Sequence, residues 1–164
     1  MPRPNSESAT QTCPDPGRIL LVDDQPELRR LFRRSLGRAG YEVLEASNAA
    51  AAIELAREHH FDVVISDMGM PDLSGLELLH ALQTLDPDLP VVLVSGSLDG
   101  AGEMSAVHCG AFAYLMKPVS FDAIHDNVSQ AIELRRARAE MRAHFEPYAS
   151  VERLRVPSEP EGSE

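Results

Sequence analysis

An α/β fold, a doubly wound five-stranded parallel sheet with helices on both faces, is the class this sequence predicts. Three observations carry the prediction. Five short apolar runs alternate with five helix-like segments, the connections between them are only a few residues long, and the runs are almost continuously apolar. Strands buried on both faces have that last property, and short alternating connections leave no room for another layering. A two-layer α+β fold would need its strands clustered in sequence, and they are not.

The elements follow in order. Arg18-Ile19-Leu20-Leu21-Val22 is too short for a helix and is ended by two aspartates. Pro26 opens a helix in which Leu28, Leu31, Phe32, Ser35 and Leu36 share a face, closed by Gly40. Tyr41-Glu42-Val43-Leu44-Glu45 reads as a strand of period two, and Asn48 as the N-cap of the Ala-rich helix through Ile53 and Leu55. Asp62-Val63-Val64-Ile65-Ser66 is a buried strand that again ends at an aspartate. Leu76, Leu78, Leu79, Leu82 and Leu85 line the next helix, which Pro87 and Pro90 terminate. Val91-Val92-Leu93-Val94 is a β-branched central strand and Ala113-Tyr114-Leu115-Met116 the fifth. Phe121, Ile124, Val128, Ala131 and Ile132 begin the last helix, which overruns the domain.

Length and composition bound the function. With 164 residues, 43% of them apolar, the chain suits one compact domain with tails. The division expected is a disordered leader at 1–16, a domain at 17–134, a helical extension at 135–149 and a mostly disordered tail at 150–164. A net charge of −11 makes direct nucleic-acid binding unexpected, since phosphate backbones call for clustered Lys and Arg. The one basic stretch, near residue 135, has no second helix or turn behind it. The longest apolar runs are far short of the ~20 residues of a membrane span. Met1 to Gly17 holds no apolar stretch for a signal peptide. Two cysteines, Cys13 and Cys109, offer neither a disulfide framework nor a four-ligand zinc site. A soluble, cytoplasmic protein is expected.

Function in such a sheet collects at the carboxyl ends of the strands. Here the first strand ends in Asp23-Asp24, the third in Asp67, the fourth in Ser95 and the fifth in Lys117-Pro118. Each alone is an ordinary cap or turn residue; together they bring three carboxylates, a hydroxyl and an ammonium to one edge. Three carboxylates in a low-dielectric crevice repel one another, and a hard divalent cation with oxygen ligands, Mg²⁺, neutralises them. Lys117 adds a point charge suited to a phosphoryl oxygen. A carboxylate beside such a cation and a lysine suits an aspartyl-phosphate nucleophile. The chemistry expected is phosphoryl transfer to an aspartate.

With Val22-Asp23-Asp24, Asp67-Met68-Gly69-Met70-Pro71-Asp72-Leu73-Ser74-Gly75, Val94-Ser95-Gly96 and Tyr114-Leu115-Met116-Lys117-Pro118 in this order and spacing, the sequence resembles the receiver domains of two-component response regulators, over about residues 17 to 134. The resemblance implies a CheY-like sheet of strand order 2-1-3-4-5. It implies Asp67 as phosphoacceptor for a phosphohistidine on a kinase or phosphotransfer protein. Mg²⁺ would be held by Asp24, Asp67 and the Gly69 carbonyl, with Asp23 acting largely through water. It also implies Lys117 pairing with the acyl phosphate, Ser95 and Tyr114 as the moving pair of the switch, and a cis Lys117-Pro118 peptide. Pro71 stiffens the loop after Asp67 and Gly75 begins the following helix. Gly69, with no side chain, leaves room beside the acyl phosphate.

Other features have plainer readings. Ser97-Leu98-Asp99-Gly100-Ala101-Gly102-Glu103 is a poor helix start, because two glycines each cost about 1 kcal/mol relative to Ala; the fourth helix is expected to be short or mobile, or its start a longer loop. His59-His60 is a polar helix end, and Cys109 a small packed residue. His80, His125 and His144 are scattered, so no phosphotransfer histidine is expected. In the extension, Leu134, Met141, Phe145 and Tyr148 form a thin stripe among Arg135, Arg136, Arg138 and Arg142. It reads as a solvated or weakly associating helix whose arginines balance the acidic domain, or as a partner or dimer helix.

The leading function is a phosphorylation switch signalling through protein contacts to an unknown downstream protein, not a classical enzyme, with a phosphorylation-dependent dimer left open. A pseudo-receiver that only binds partners usually lacks one acidic or lysine position, and none is lost here. An aspartate-nucleophile phosphatase of the haloacid-dehalogenase type would carry a second aspartate where this chain has Gly69.

Overall fold

The structure, a computed structural model, describes residues 15–96 and 100–152. Residues 1–14 of the expected leader, Ser97-Leu98-Asp99 and residues 153–164 of the expected tail lie outside the described residues. In chain order the elements are β1 (Arg18–Val22), α1 (Pro26–Arg38), β2 (Glu42–Ala46), α2 (Ala49–Glu58), β3 (Val63–Asp67), α3 (Gly75–Leu85), β4 (Val91–Ser95), α4 (Gly100–His108), β5 (Ala113–Met116) and α5 (Phe121–Glu152). All pairings are parallel, and the strand order is β2-β1-β3-β4-β5, as the resemblance implies.

Alternate residues of each central strand feed two cores. Leu20, Val22, Val64, Val91 and Leu93 pack with Ala49 and Ala52 of α2, Leu78, Leu79 and Leu82 of α3, and Ala106 of α4. Ile19, Leu21, Val63, Ile65, Val92 and Val94 pack on the other face with Leu36 of α1 and Ile124, Val128, Ala131 and Ile132 of α5. That two-sided burial is why β1, β3 and β4 are nearly continuous apolar runs. Two residues counted toward helix faces lie largely in solvent: Leu31 is 50% and Leu85 43% exposed. The apolar stripe of each helix is narrower than its leucines suggest.

Local chemistry sets the helix ends. Pro26 occupies the first turn of α1, and Gly40 takes φ 98° beyond its last turn, a conformation that L side chains rarely adopt. Asn48 caps α2 by accepting the Ala51 N–H at 2.8 Å. Ser74 and Glu77 form a reciprocal capping box on α3.

α4 is short, one of the outcomes expected of it: a nine-residue helix from Gly100 to His108 with Ala106 fully buried. Cys109, expected to be packed, is exposed: it follows the helix at its solvent-side end.

The last helix runs unbroken past the sheet and through Pro147 to Glu152. Its arginines do more than dilute the negative charge. Arg135 is only 8% exposed and bonds Asp86 at 2.7 Å, Arg142 pairs with Asp88, and Arg136 donates to the Asp15 carbonyl. Asp86 is partly buried, which opposes ionisation, but the Arg135 guanidinium, the Asp88 N–H and His60 together outweigh this and hold its carboxyl below the usual range. Met141 and Phe145 of the expected stripe are 59% and 61% exposed. The Tyr148 side chain lies outside the described residues. Among the described residues, no helix is long and apolar enough to cross a membrane.

Candidate functional site

The parallel register brings the strand ends level. Asp67 closes β3 opposite Val94, and Ser95 closes β4 opposite Met116, one residue before Lys117. Asp23 and Asp24 follow β1 directly. One carboxylate oxygen from each of Asp23, Asp24 and Asp67 lies within 4.8 Å of the other two. Asp23 and Asp67 are buried, at 5% and 7% exposure, while Asp24 is exposed. The Lys117 ammonium stands 3.5 Å from Asp67 Oδ1 and 3.8 Å from Asp23 Oδ2. Ser95 is buried beside them, and Lys117-Pro118 is cis. The cleft, about 470 Å³, is lined by Gln25, Asp67, Met68, Gly69, Ser95, Gly96, Gly102, Tyr114 and Lys117.

Backbone bonds hold this arrangement. The Lys117 N–H donates to the Ser95 carbonyl at 2.7 Å and the Met68 N–H to the Val94 carbonyl at 2.9 Å. Gly69 contributes its N–H, 3.2 Å from Asp67 Oδ1, and a methyl group built on it would meet nothing within 4 Å. Burial pushes the Asp23 carboxyl above its ordinary range; the Gln25 N–H at 2.8 Å and Lys117 work against this, while Asp67 and Asp24 add to it. One ammonium for three carboxylates leaves a surplus of negative charge facing open space. A hard divalent cation fits that donor set, with Asp23, Asp24 and Asp67 as its carboxylates.

Several residues escaped sequence reading. Arg29 donates to the Asp23 carbonyl at 2.7 Å and reaches Glu45 at 3.5 Å, tying α1 and β2 to the strand end. Asp72, in the loop after Asp67, accepts the N–H groups of Ala49 and Ala50 at 3.0 and 3.2 Å, capping α2 from outside. A helix N-terminus has four orphan donors and Asn48 takes one, yet nothing local shows that the second acceptor comes from 22 residues away. Desolvation of Asp72 is opposed by the N–H groups of Leu73, Ala50, Asp72 and Ala49, and its carboxyl is held below the ordinary 3.8. The stability it contributes is therefore complete above the unfolded value and lost as pH falls through the lower folded one. Asp72→Ala is expected to cost about 0.5–1 kcal/mol at pH 7, the low end of capping because the site is exposed, with the difference from wild type vanishing in acid; urea midpoints across pH measure it.

Comparison with known proteins matches the chain to the response regulator receiver domain over residues 19–129. The chain belongs to that family. Among curated relatives, the receiver domain is 38% identical over 125 residues to the response regulator protein PilR of Pseudomonas aeruginosa, covering 75% of this chain and 28% of PilR. It is 36% identical over 123 residues to the transcriptional regulatory protein KdpE of Mycobacterium tuberculosis, covering 75% of this chain and 54% of KdpE. The chain thus spans between about a quarter and a half of the length of these relatives. A solved receiver domain from Clostridium thermocellum superposes with a TM-score of 0.71 at 32% identity, covering 73% of this chain and 97% of that one. The response regulator TrrA of Thermotoga maritima, solved in complex with Mg²⁺ and BeF, gives 0.63 at 31% identity, covering 70% and 97%. The receiver family is a signalling switch, and its structural neighbours include CheY-like proteins.

Proposed function

We propose that this receiver domain accepts a phosphoryl group on Asp67 from a phosphohistidine of a histidine kinase or phosphotransfer protein in the cytoplasm. The observation that carries the reading is the meeting of Asp23 and Asp24 with Asp67 and Lys117, the latter two lining one cleft with Ser95, in a receiver domain. An Asp67 carboxylate oxygen bonds to phosphorus as the nitrogen–phosphorus bond of the donor breaks, leaving an aspartyl phosphate. Asp23, Asp24 and Asp67 would hold Mg²⁺, with the Gly69 carbonyl as a further ligand; when bound it neutralises charge on the phosphoryl oxygens. Lys117, already 3.5 Å from Asp67, stays to pair with the new dianion.

The acyl phosphate carries about −2 where the carboxylate carried about −1, and this added charge biases the structure around Ser95, Tyr114 and α4; output passes by protein contact to a downstream protein or a second copy. Self-dephosphorylation is the extent of any enzymatic activity. PilR and KdpE are regulators by name, but direct nucleic-acid binding is not part of the reading for these residues.

The test is intact mass after incubation with Mg²⁺ and acetyl phosphate. Wild type is expected to gain one phosphoryl group, Asp67→Asn and the Mg²⁺-free sample none. No gain in wild type, together with no binding of the beryllofluoride mimic, would overturn the reading and leave a partner-binding pseudo-receiver.

A further inference from the structure

Among the described side chains of α4, Ala106 is the one that is buried. Gly102 and Ala106, one turn apart, share its inward face, while Met104 and Val107 are 64% and 66% exposed. Its C-terminal end is tied down: Gly110 turns the chain at φ 85°, and Gln83 of α3 donates to the carbonyls of Cys109 and Gly110 at 2.9 and 3.3 Å. In its first turn, Gly102 faces two side chains from the sheet edge, Tyr114 and Met68. A methyl group built on Gly102 would stand 3.3 Å from the Tyr114 hydroxyl and 4.0 Å from Met68 Cε. The glycine that weakens this helix leaves room for the Tyr114 hydroxyl, while Met68 Cε lies at ordinary contact distance from the same position.

Met68 follows Asp67 directly, and its backbone is held on both sides. Its N–H donates to the Val94 carbonyl at 2.9 Å, and its carbonyl accepts the Gly75 N–H at 3.1 Å. Its sulfur lies over Gly75, 3.0 Å from where a Cβ would sit. The unbranched thioether therefore runs from the α3 start to the α4 start, and with the backbone pinned its freedom is in its side-chain torsions. We propose that Met68 is a positioning residue that carries the state of Asp67 to the first turn of α4, in parallel with Tyr114 and through the same glycine. The proposal rests on Asp67 being the phosphoacceptor. α4 is held at its C-terminal end by Gln83 and approached at Gly102, in its first turn, by Met68 and Tyr114.

The experiment is amide hydrogen exchange of residues 100–108 in the full chain, with and without Mg²⁺ and beryllofluoride, beside phosphoryl gain from acetyl phosphate. Wild type is expected to change its α4 exchange when the mimic binds. Met68→Leu keeps bulk over Gly75 but stops short of Gly102. It is expected to fold, and at saturating beryllofluoride its α4 response is cut roughly in half or more, whatever its own rate of phosphoryl gain. Met68→Ala should lose still more of the response, and if it does not fold, the leucine variant decides. A wild-type α4 response in Met68→Leu would overturn the proposal, as would phosphorylation of wild type without any α4 response. Failure of wild type to bind the mimic or gain a phosphoryl group would instead remove the phosphoacceptor reading, and this proposal with it.

Discussion

Gly75→Ala is expected to destabilise the protein by about 2–3 kcal/mol and to slow phosphorylation from acetyl phosphate, although alanine is the better helix former. The added Cβ would lie 2.9 Å from Met68 Cα, 3.0 Å from the Asp67 carbonyl oxygen and 3.0 Å from Met68 Sδ. Two of these are backbone atoms, so a side-chain rotation cannot relieve the contact. Either α3 retreats from the sheet, opening the core around Leu78, Leu79 and Leu82, or the strand end at Asp67 moves. Gly37→Ala is the control. Gly37 lies in α1 with nothing within 4 Å of an added methyl, so that change is expected to stabilise by about 0.5–1 kcal/mol. Urea midpoints of the two variants should move in opposite directions; a shared direction would show that the close approach at Gly75 is not what requires glycine.

Asp23→Asn is expected to strengthen the metal-free fold while disabling the site. The buried Asp23 carboxyl is pushed above its ordinary value of 3.8, first by desolvation, with Asp67 and Asp24 adding to it. Because the unfolded chain ionises first, the native state is penalised as pH rises from 3.8 through the higher folded value, and the whole penalty remains above it. The amide keeps an acceptor for the Gln25 N–H and removes that penalty. In EDTA at pH 7 a higher urea midpoint than wild type is expected, the difference disappearing below the unfolded value. With Mg²⁺ the order should reverse, since wild type gains stability from the ion and the variant little. Phosphoryl gain from acetyl phosphate is expected to fall by about 100-fold or more. A lower urea midpoint for the variant in EDTA would contradict this account, showing that the Asp23–Lys117 pair outweighs the burial.

How much of this was legible in the sequence depended on the range of the interaction. The strands showed as apolar runs because two faces each demanded apolar residues, and Asn48 and the start of α1 showed because capping acts within a few residues. Asp23, Asp24, Asp67, Ser95 and Lys117 stood out because each sits at a strand end, and parallel strands put those ends on one edge. Leu31 and Leu85 were misjudged because periodicity tells which residues share a face, not how far the neighbouring element covers it.

Sequence alone determined the fold class, the strand ends and the charged constellation, since these follow from periodicity, turn chemistry and residue type along the chain. Only the tertiary structure decided that Asp72 caps α2, that Arg135 is buried on Asp86, and that the glycines at 75 and 102 are clearances for Met68 and Tyr114. Each of those rests on an approach of a few ångströms between elements distant in sequence, and such an approach leaves no periodic trace in either partner.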